Sequence, residues 1–327
     1  MVKALTHNKQ SGFGLIELMI AIALSSLMLL GVLQIFEANK RTGNLTSGFA
    51  RVQESGRMAV EMLVRDVRMA DSWGCVGVGS IDITDHLDPS DTDYQPYMSW
   101  KNAAGVEGSN DAIAGTTIGT ISVKPNTDVL TMRGAKPMHN AHVVFPYMTP
   151  NAAVVHVNKG ADIPEGTIVL ITDCTGADLF SNKHPNTSGS GSLLHNTGNI
   201  TAPGAVDNDF KDLSHTYGAN AQILIPFVKT YFVGRENADD PWSLFRQENN
   251  KVFELVRDVT DLQILYGEDT GDDSSADLFS DAASVTDMGK VVSIRATIVT
   301  ESDSAANGGS PLAKTYAVTT NIRNRSL

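Results

Sequence analysis

Glu17 is the residue from which the rest of the chain can be read. It is a single carboxylate at the head of residues 18–36, a run of 19 residues without another charge. As a helix that run is about 28 Å long, close to the roughly 30 Å hydrocarbon core of a bilayer. A carboxylate at the edge of such a segment costs a few kcal/mol or more unless a cation meets it, so Glu17 requires a partner. Other acidic groups offer less. Residues 268–277 read Glu-Asp-Thr-Gly-Asp-Asp-Ser-Ser-Ala-Asp. Their spacing lacks the alternating Asp-x-Asp-x-Asp-Gly that aims several oxygens at one calcium ion. An acidic hairpin loop is expected there, with Asp269, Asp272, Asp273 and Asp277 as the only calcium candidates. Asp82, Asp85, Asp88, Asp91 and Asp93 read as a solvated acidic surface. His139 and His142 stand three apart with no third ligand in view, so no metal site is expected. The sequence contains no nucleophile elbow, phosphate-binding loop or framed pair of acids. No catalytic residue and no cofactor are assigned, and the chain is not read as an enzyme.

Two readings of the N-terminus compete. In one, residues 1–12 are a short basic region carrying Lys3 and Lys9, and the apolar run is a signal anchor or is cleaved near residues 21–23. In the other, the chain is cut after Gly12, before the apolar run, so that Phe13 becomes the N-terminus with its amine four residues from Glu17. The string Gly12-Phe13-Gly14-Leu15-Ile16-Glu17 resembles the processing site of type IV prepilins. That resemblance implies cleavage between Gly12 and Phe13 by a prepilin peptidase, N-methylation of Phe13, and an assembly role for Glu17 at the fifth mature position. It also supplies the missing cation, since the family glutamate is thought to meet the N-terminal amine of a neighbouring subunit. An α-amine with a reference pKa of about 7.7–8.0 is largely cationic at neutral pH. Gly14 departs from the Thr or Ser that the family usually carries at the second mature position.

The chain has 327 residues and a formal net charge of −12. Loss of residues 1–12 removes two lysines and no acid, leaving −14. An acidic surface disfavours phosphate backbones, and no basic stripe with interleaved aromatics is present, so nucleic acid is not an expected partner. There are two cysteines, Cys75 and Cys174, both in the part expected to be exported. One disulfide in an oxidising compartment is the expectation, and two unrelated free thiols are the alternative. A bridge closing a loop of about 100 residues would contribute about 4–5 kcal/mol in the chain-entropy model.

Beyond the apolar run a helix is expected over residues 37–71, with Leu45, Phe49, Val52, Ala59, Leu63, Val67 and Ala70 forming one apolar stripe. Gly43, Gly48 and Gly56 would weaken its first half. Residues 72–327 read as a β-rich domain with polar loops at 80–128 and 177–221. Strand signals fall at 129–133, 143–147, 153–158, 167–173, 222–234, 243–247, 252–266, 290–300 and 314–323. The fold class is therefore α+β: a long N-terminal helix, membrane-spanning in its first half (13–36), packed on a mostly antiparallel sheet.

Several internal segments extend the resemblance. Gly74-Cys75 after the helix, Val129-Leu130-Thr131-Met132-Arg133, Ile171-Thr172-Asp173-Cys174, residues 256–267 and the terminal Ile322-Arg323-Asn324-Arg325 resemble, in that order, the PilW family of type IV pilus minor pilins. The resemblance implies a pilin-like subunit held in the inner membrane by one helix, with its C-terminal domain in the periplasm or on an extracellular pilus. It also implies a role in priming or assembling the pilus. Its implied partners are the prepilin peptidase, other minor pilins, the major pilin and the inner-membrane assembly platform. The J-type minor pseudopilin of type II secretion has a similar plan and is the alternative within the class. A membrane-anchored periplasmic enzyme is the alternative outside it. A tip module for adhesion or DNA capture would place exposed aromatics on the polar loops, where Trp73 and Trp100 are the nearest tryptophans. The terminal Arg323 and Arg325 read as a contact with an acidic neighbour or as a solvated tail.

Overall fold

The computed structural model describes residues 12, 14–74, 83–95, 98, 105–149, 151–158, 163–184, 191–302 and 310–325, except for the side chains of residues 139 and 140. One helix, α1 (Leu15–Arg68), is followed by strands β1 (Ile83–Asp85), β2 (Val106–Ser109), β3 (Thr117–Ile118), β4 (Ile121–Val123), β5 (Val129–His142), β6 (Val154–His156), β7 (Ile168–Thr172) and β8 (Ala177–Ser181). Then come β9 (Ser192–Leu194), β10 (Gln222–Arg235), β11 (Ser243–Glu248), β12 (Lys251–Arg257), β13 (Val259–Glu268), β14 (Leu278–Ser280), β15 (Val291–Glu301) and β16 (Ala313–Asn321). The chain divides into two compact units, one of residues 1–51 with 302–312, the other of residues 52–301 with 313–327.

In the first unit the described residues of α1 are almost all exposed, including Leu15, Ile16, Met28 and Phe36. Residues 302 and 312 exchange two hydrogen bonds, Ser302 N–H to Leu312 O at 2.8 Å and Leu312 N–H to Ser302 Oγ at 2.9 Å. In the second unit, two sheets and the C-terminal part of α1 share a core. Strand β10 is the hub of a ten-stranded sheet ordered β1-β8-β7-β10-β11-β12, with β5 and β4 also paired to β10, β2 to β5 and β3 to β4. Only the β1–β8 pair is parallel among these. A four-stranded antiparallel sheet runs β14-β13-β15-β16. The expected α+β class, a long apolar N-terminal helix and a mostly antiparallel sheet domain, is what the chain forms.

Ala59, Leu63, Val67 and Ala70 are fully buried against Val259, Leu262, Ile264, Tyr266, Ile294, Ala296 and Ile298 of the four-stranded sheet. The stripe predicted from helical spacing is thus the packing face, except that Phe49 is half exposed and Leu45 only partly covered. None of the three glycines ends the helix. Gly56 instead permits close packing, because a Cβ there would lie 2.0 Å from Cε2 of Tyr316. The helix stops at Arg68, three residues before the expected 71. Asp71 takes a left-handed φ of 58°, and its N–H donates to Arg133 O at 2.7 Å, carrying the chain over to β5.

The polar regions hold more structure than their composition suggests. The segment beginning at 177 opens with β8, in which all five residues are buried. Short strands β1 to β4 lie within 80–128. Ser188, Gly189 and Ser190, part of the glycine–serine centre of the second polar region, lie outside the described residues.

Candidate functional site

Gly12 is exposed, and Phe13 lies outside the described residues. The Gly14 amide donates to Glu17 Oε2 at 3.1 Å, while the Glu17 and Leu18 amides donate to Gly14 O at 3.0 and 3.2 Å. Gly14 is therefore the N-cap of α1 and Glu17 its third residue. A glutamate at that position reaching back to the N-cap amide is one half of a capping box. The other half is a Ser or Thr hydroxyl at the N-cap, which glycine lacks. Among the described residues, Glu17 Oε1 accepts no hydrogen bond. One oxygen holds the helix start, and the other is open to an external donor.

Downstream, α1 has an uninterrupted apolar stretch of mean hydropathy 2.4, long enough to cross a bilayer. The two hydroxyls in it are satisfied by the helix itself, Ser25 Oγ donating to Ala21 O at 2.6 Å and Ser26 Oγ to Ala23 O at 2.8 Å. Internal satisfaction of polar groups is what a hydrocarbon environment demands.

The acidic loop turns its carboxylates on itself. Asp269 accepts from the Asp273 and Ser274 amides, and Asp277 accepts from the Thr270 amide and hydroxyl and the Gly271 amide. Asp272 pairs with Lys290 at 2.9 Å, and the Asp273 carboxylate accepts from the Ser275 amide. Asp88 and Asp91 likewise cap the turns that follow them. Among the described residues no group of three His, Cys, Asp or Glu side chains is placed to hold a metal ion.

Sequence reasoning missed two buried networks. In the first, Asp66 on α1 accepts from Tyr231 Oη (2.6 Å), Lys229 Nζ (2.9 Å) and Arg246 Nη1 (3.3 Å), tying the helix to β10 and β11. Burial alone would raise the Asp66 carboxyl, but these donors outweigh it and hold the group below the ordinary carboxylate range. In the second, Asp178 on β8 accepts from Ser214 and Tyr217 and stands 2.6 Å from His86 Nε2. There too burial pushes upward and the hydrogen bonds prevail, so the carboxyl is lowered. The neighbouring Ser214, His215 and Asp173 have the composition of a hydrolytic triad, with 3.0 Å between Ser214 Oγ and His215 Nδ1 and between His215 Nε2 and Asp173 Oδ1. The hydroxyl donates to Asp178 Oδ2 at 2.6 Å instead of to the imidazole, so it is not arranged as a nucleophile activated by His215. The cluster pins residues 210–217 to β8. A buried aspartate among apolar residues has no sequence period, and its donors lie up to 180 residues away.

The C-terminal arginines divide. Arg325 forms a buried ion pair with Asp71 and donates to Met288 O and Val291 O, and Asn324 donates to Ala70 O at 2.9 Å. Of the two, only Arg323 is exposed. The acidic neighbour expected for this tail is, for Arg325, the chain's own helix end. Trp73 is buried, with Nε1 donating to Asp71 Oδ1 at 2.8 Å, so it is not an exposed tip aromatic, and Trp100 lies outside the described residues. Cys75, Asp82 and the His139 side chain also lie outside them. Gly74, with φ of 81°, packs so closely that a Cβ would meet Thr172 Cγ2 at 3.1 Å, two residues from Cys174.

Residues 230–324 match the family model of type IV pilus-assembly protein W, and residues 7–33 match the prokaryotic N-terminal methylation motif. No curated protein and no solved structure matches the chain. The first match spans the end of β10 through β16 and reaches Asn324. The second contains Gly12, Phe13 and Glu17. They bear out the resemblance to the PilW family and support a type IV pilus-related pilin, anchored to a membrane and structural in character.

Proposed function

We propose that this chain is a minor pilin that inserts in the inner membrane through residues 13–36 and takes part in priming and assembling a type IV pilus. A prepilin peptidase removes residues 1–12 and methylates Phe13, and residues 72–327 stand in the periplasm. The observation that carries the reading is the placement of Glu17: inside the methylation-motif match, one helical turn from the expected new amine, with one carboxylate oxygen uncommitted. In a filament that oxygen receives the methylated amine of a neighbouring subunit, which offsets the cost of a carboxylate among apolar helices. The PilW match favours a pilus over the J-type pseudopilin of type II secretion.

The other minor pilins, the major pilin and the inner-membrane assembly platform are the partners of this step. Replacing Glu17→Gln keeps the size of the side chain and its hydrogen bond to Gly14 but removes the charge. The variant is expected to insert in the membrane at the normal level while its recovery with sheared pili falls about tenfold or more, the effect of removing one partner from a desolvated ion pair. Normal recovery of the variant in pili would remove Glu17 from the mechanism.

A Cys75–Cys174 bridge belongs to the same reading. The approach of Gly74 to β7, and the absence of a free cysteine among the described residues, support it.

A further inference from the structure

A groove of about 800 Å³ runs between the C-terminal end of α1 and strand β16, and a second of about 670 Å³ continues it along the same strand. Its rim carries Arg65, Arg68 and Arg323, three guanidinium groups that make no ion pair among the described residues. Glu61 is the acidic residue in the lining of both grooves, and with Arg65, Arg68 and Arg323 in one and Arg57 and Lys314 in the other the lining is net positive on a chain of net charge −12. Arg65 and Arg68 lie in the last turn of α1, where cations complement the helix dipole, but that role does not account for Arg323, two residues past the end of β16.

Strand β16 supplies an independent observation. It ends the four-stranded sheet and pairs with β15 over nine residues, 313 to 321, with no break in register. Its outward side chains are Ala313, Thr315, Ala317, Thr319 and Asn321, all small or uncharged. Proteins usually blunt a free edge with a short strand, a charge, a proline or a bulge. The other terminal strands comply. Strands β1, β2, β3 and β14 have four residues or fewer, and β12 carries Lys251, Glu254 and Arg257 and a register shift against β11. Among the described residues β16 alone is long and regular with an uncharged outward face. Its one charge, Lys314 near the start of the strand, lies on the other face with its ammonium 5.1 Å from the Tyr316 ring centroid, a cation beside the groove.

We propose that β16 accepts an extended, acidic segment of a partner protein as a fifth strand of this sheet. Main-chain hydrogen bonds to the free edge would provide the affinity, and Arg65, Arg68 and Arg323 would select for carboxylates on the incoming strand. A strand paired along the whole edge is nine residues, or about 30 Å, long. The site is independent of processing at Gly12, so failure of either reading leaves the other standing.

The test uses the full chain in nonionic detergent and two fluorescent nine-residue probes, one alternating glutamate with valine and threonine, the other carrying lysine in place of glutamate. The glutamate probe is expected to bind and to slow amide exchange across 313–321, and the lysine probe is expected not to bind. The triple variant Arg65→Glu, Arg68→Glu, Arg323→Glu should weaken binding about tenfold, as expected when three partly exposed ion pairs act together. Lys251→Glu on β12 should leave binding unchanged. If the triple variant fails to fold, Arg323→Ala alone should give an intermediate loss. Equal binding of both probes, binding without protection of 313–321, or binding indifferent to charge reversal would overturn the proposal. So would self-association through β16 that the glutamate probe does not displace.

Discussion

Removing the Asp66 carboxylate would leave Lys229 and Arg246 facing each other in a largely desolvated site. Both partners keep some contact with water, so Asp66→Ala is expected to cost about 2–3 kcal/mol, less than a fully buried pair would. A urea titration reads this as a lower midpoint with an unchanged slope. Arg325 poses the same question at the end of α1, where its loss would strand Asp71. Arg325→Ala should cost at least as much as Asp66→Ala, and Arg325→Lys should recover only part, because a single ammonium cannot reach Asp71 and two carbonyls together. At the N-cap the direction reverses. Gly14→Ser supplies the missing hydroxyl of the capping box and should raise the stability of the first turn by a few tenths of a kcal/mol, seen as slower amide exchange at residues 16 and 17. These residue-level roles differ in how far the sequence reveals them. Glu17 announces itself as the only charge in an apolar run. Asp66 does not, because it sits beside the buried Val67 in a stretch whose neighbours include Arg65 and Arg68.

The C-terminal part of α1 and strand β16 could be read from hydrophobic period. Strand β10, by contrast, is buried along most of both faces, and the single run expected over 252–266 is two strands, β12 and β13, parted at Asp258 with φ of 65°. The 3.6-residue stripe from Val52 to Ala70 and the alternation in β16 both survive in the fold. Strand β8 could not be read this way. Its five residues include Asp178 and Ser181 and are buried on every side, so polarity gives no outward face, and the donors that make burial possible come from residues 86, 214 and 217. Gly56 is misjudged from sequence for a related reason: helix propensity counts its missing side chain as a loss, whereas Tyr316 fills the space. Gly56→Ala should therefore destabilise the second unit by about 1–3 kcal/mol despite alanine's better helix propensity. The double variant with Tyr316→Ala should show a smaller combined loss than the two singles added, and strict additivity would mean that the contact is not limiting.

Acid is expected to loosen the whole second unit through two carboxylates. Asp66 and Asp178 are both held below their ordinary values in the fold. A group depressed on folding contributes stability that is complete above its unfolded pKa, about 3.9, and is lost as pH falls through the folded value. The buried His195, held below the ordinary imidazole value by desolvation, adds a loss that begins as pH falls below about 6.5. The midpoint of urea unfolding should drop more steeply below about 4 as the two carboxylates protonate. Asp178→Asn should flatten part of that drop.

The central claim, that the chain is processed and assembled as a pilin subunit, turns on where it begins in the cell. The intact mass and N-terminal peptide of the membrane-purified protein, with and without the prepilin peptidase, measure this directly. The expected result is a chain starting at N-methylated Phe13 only when the peptidase is present, with full-length chain accumulating in its absence. A chain that starts at Met1 in both cells, or after Ala23, would contradict it and deprive Glu17 of its amine partner.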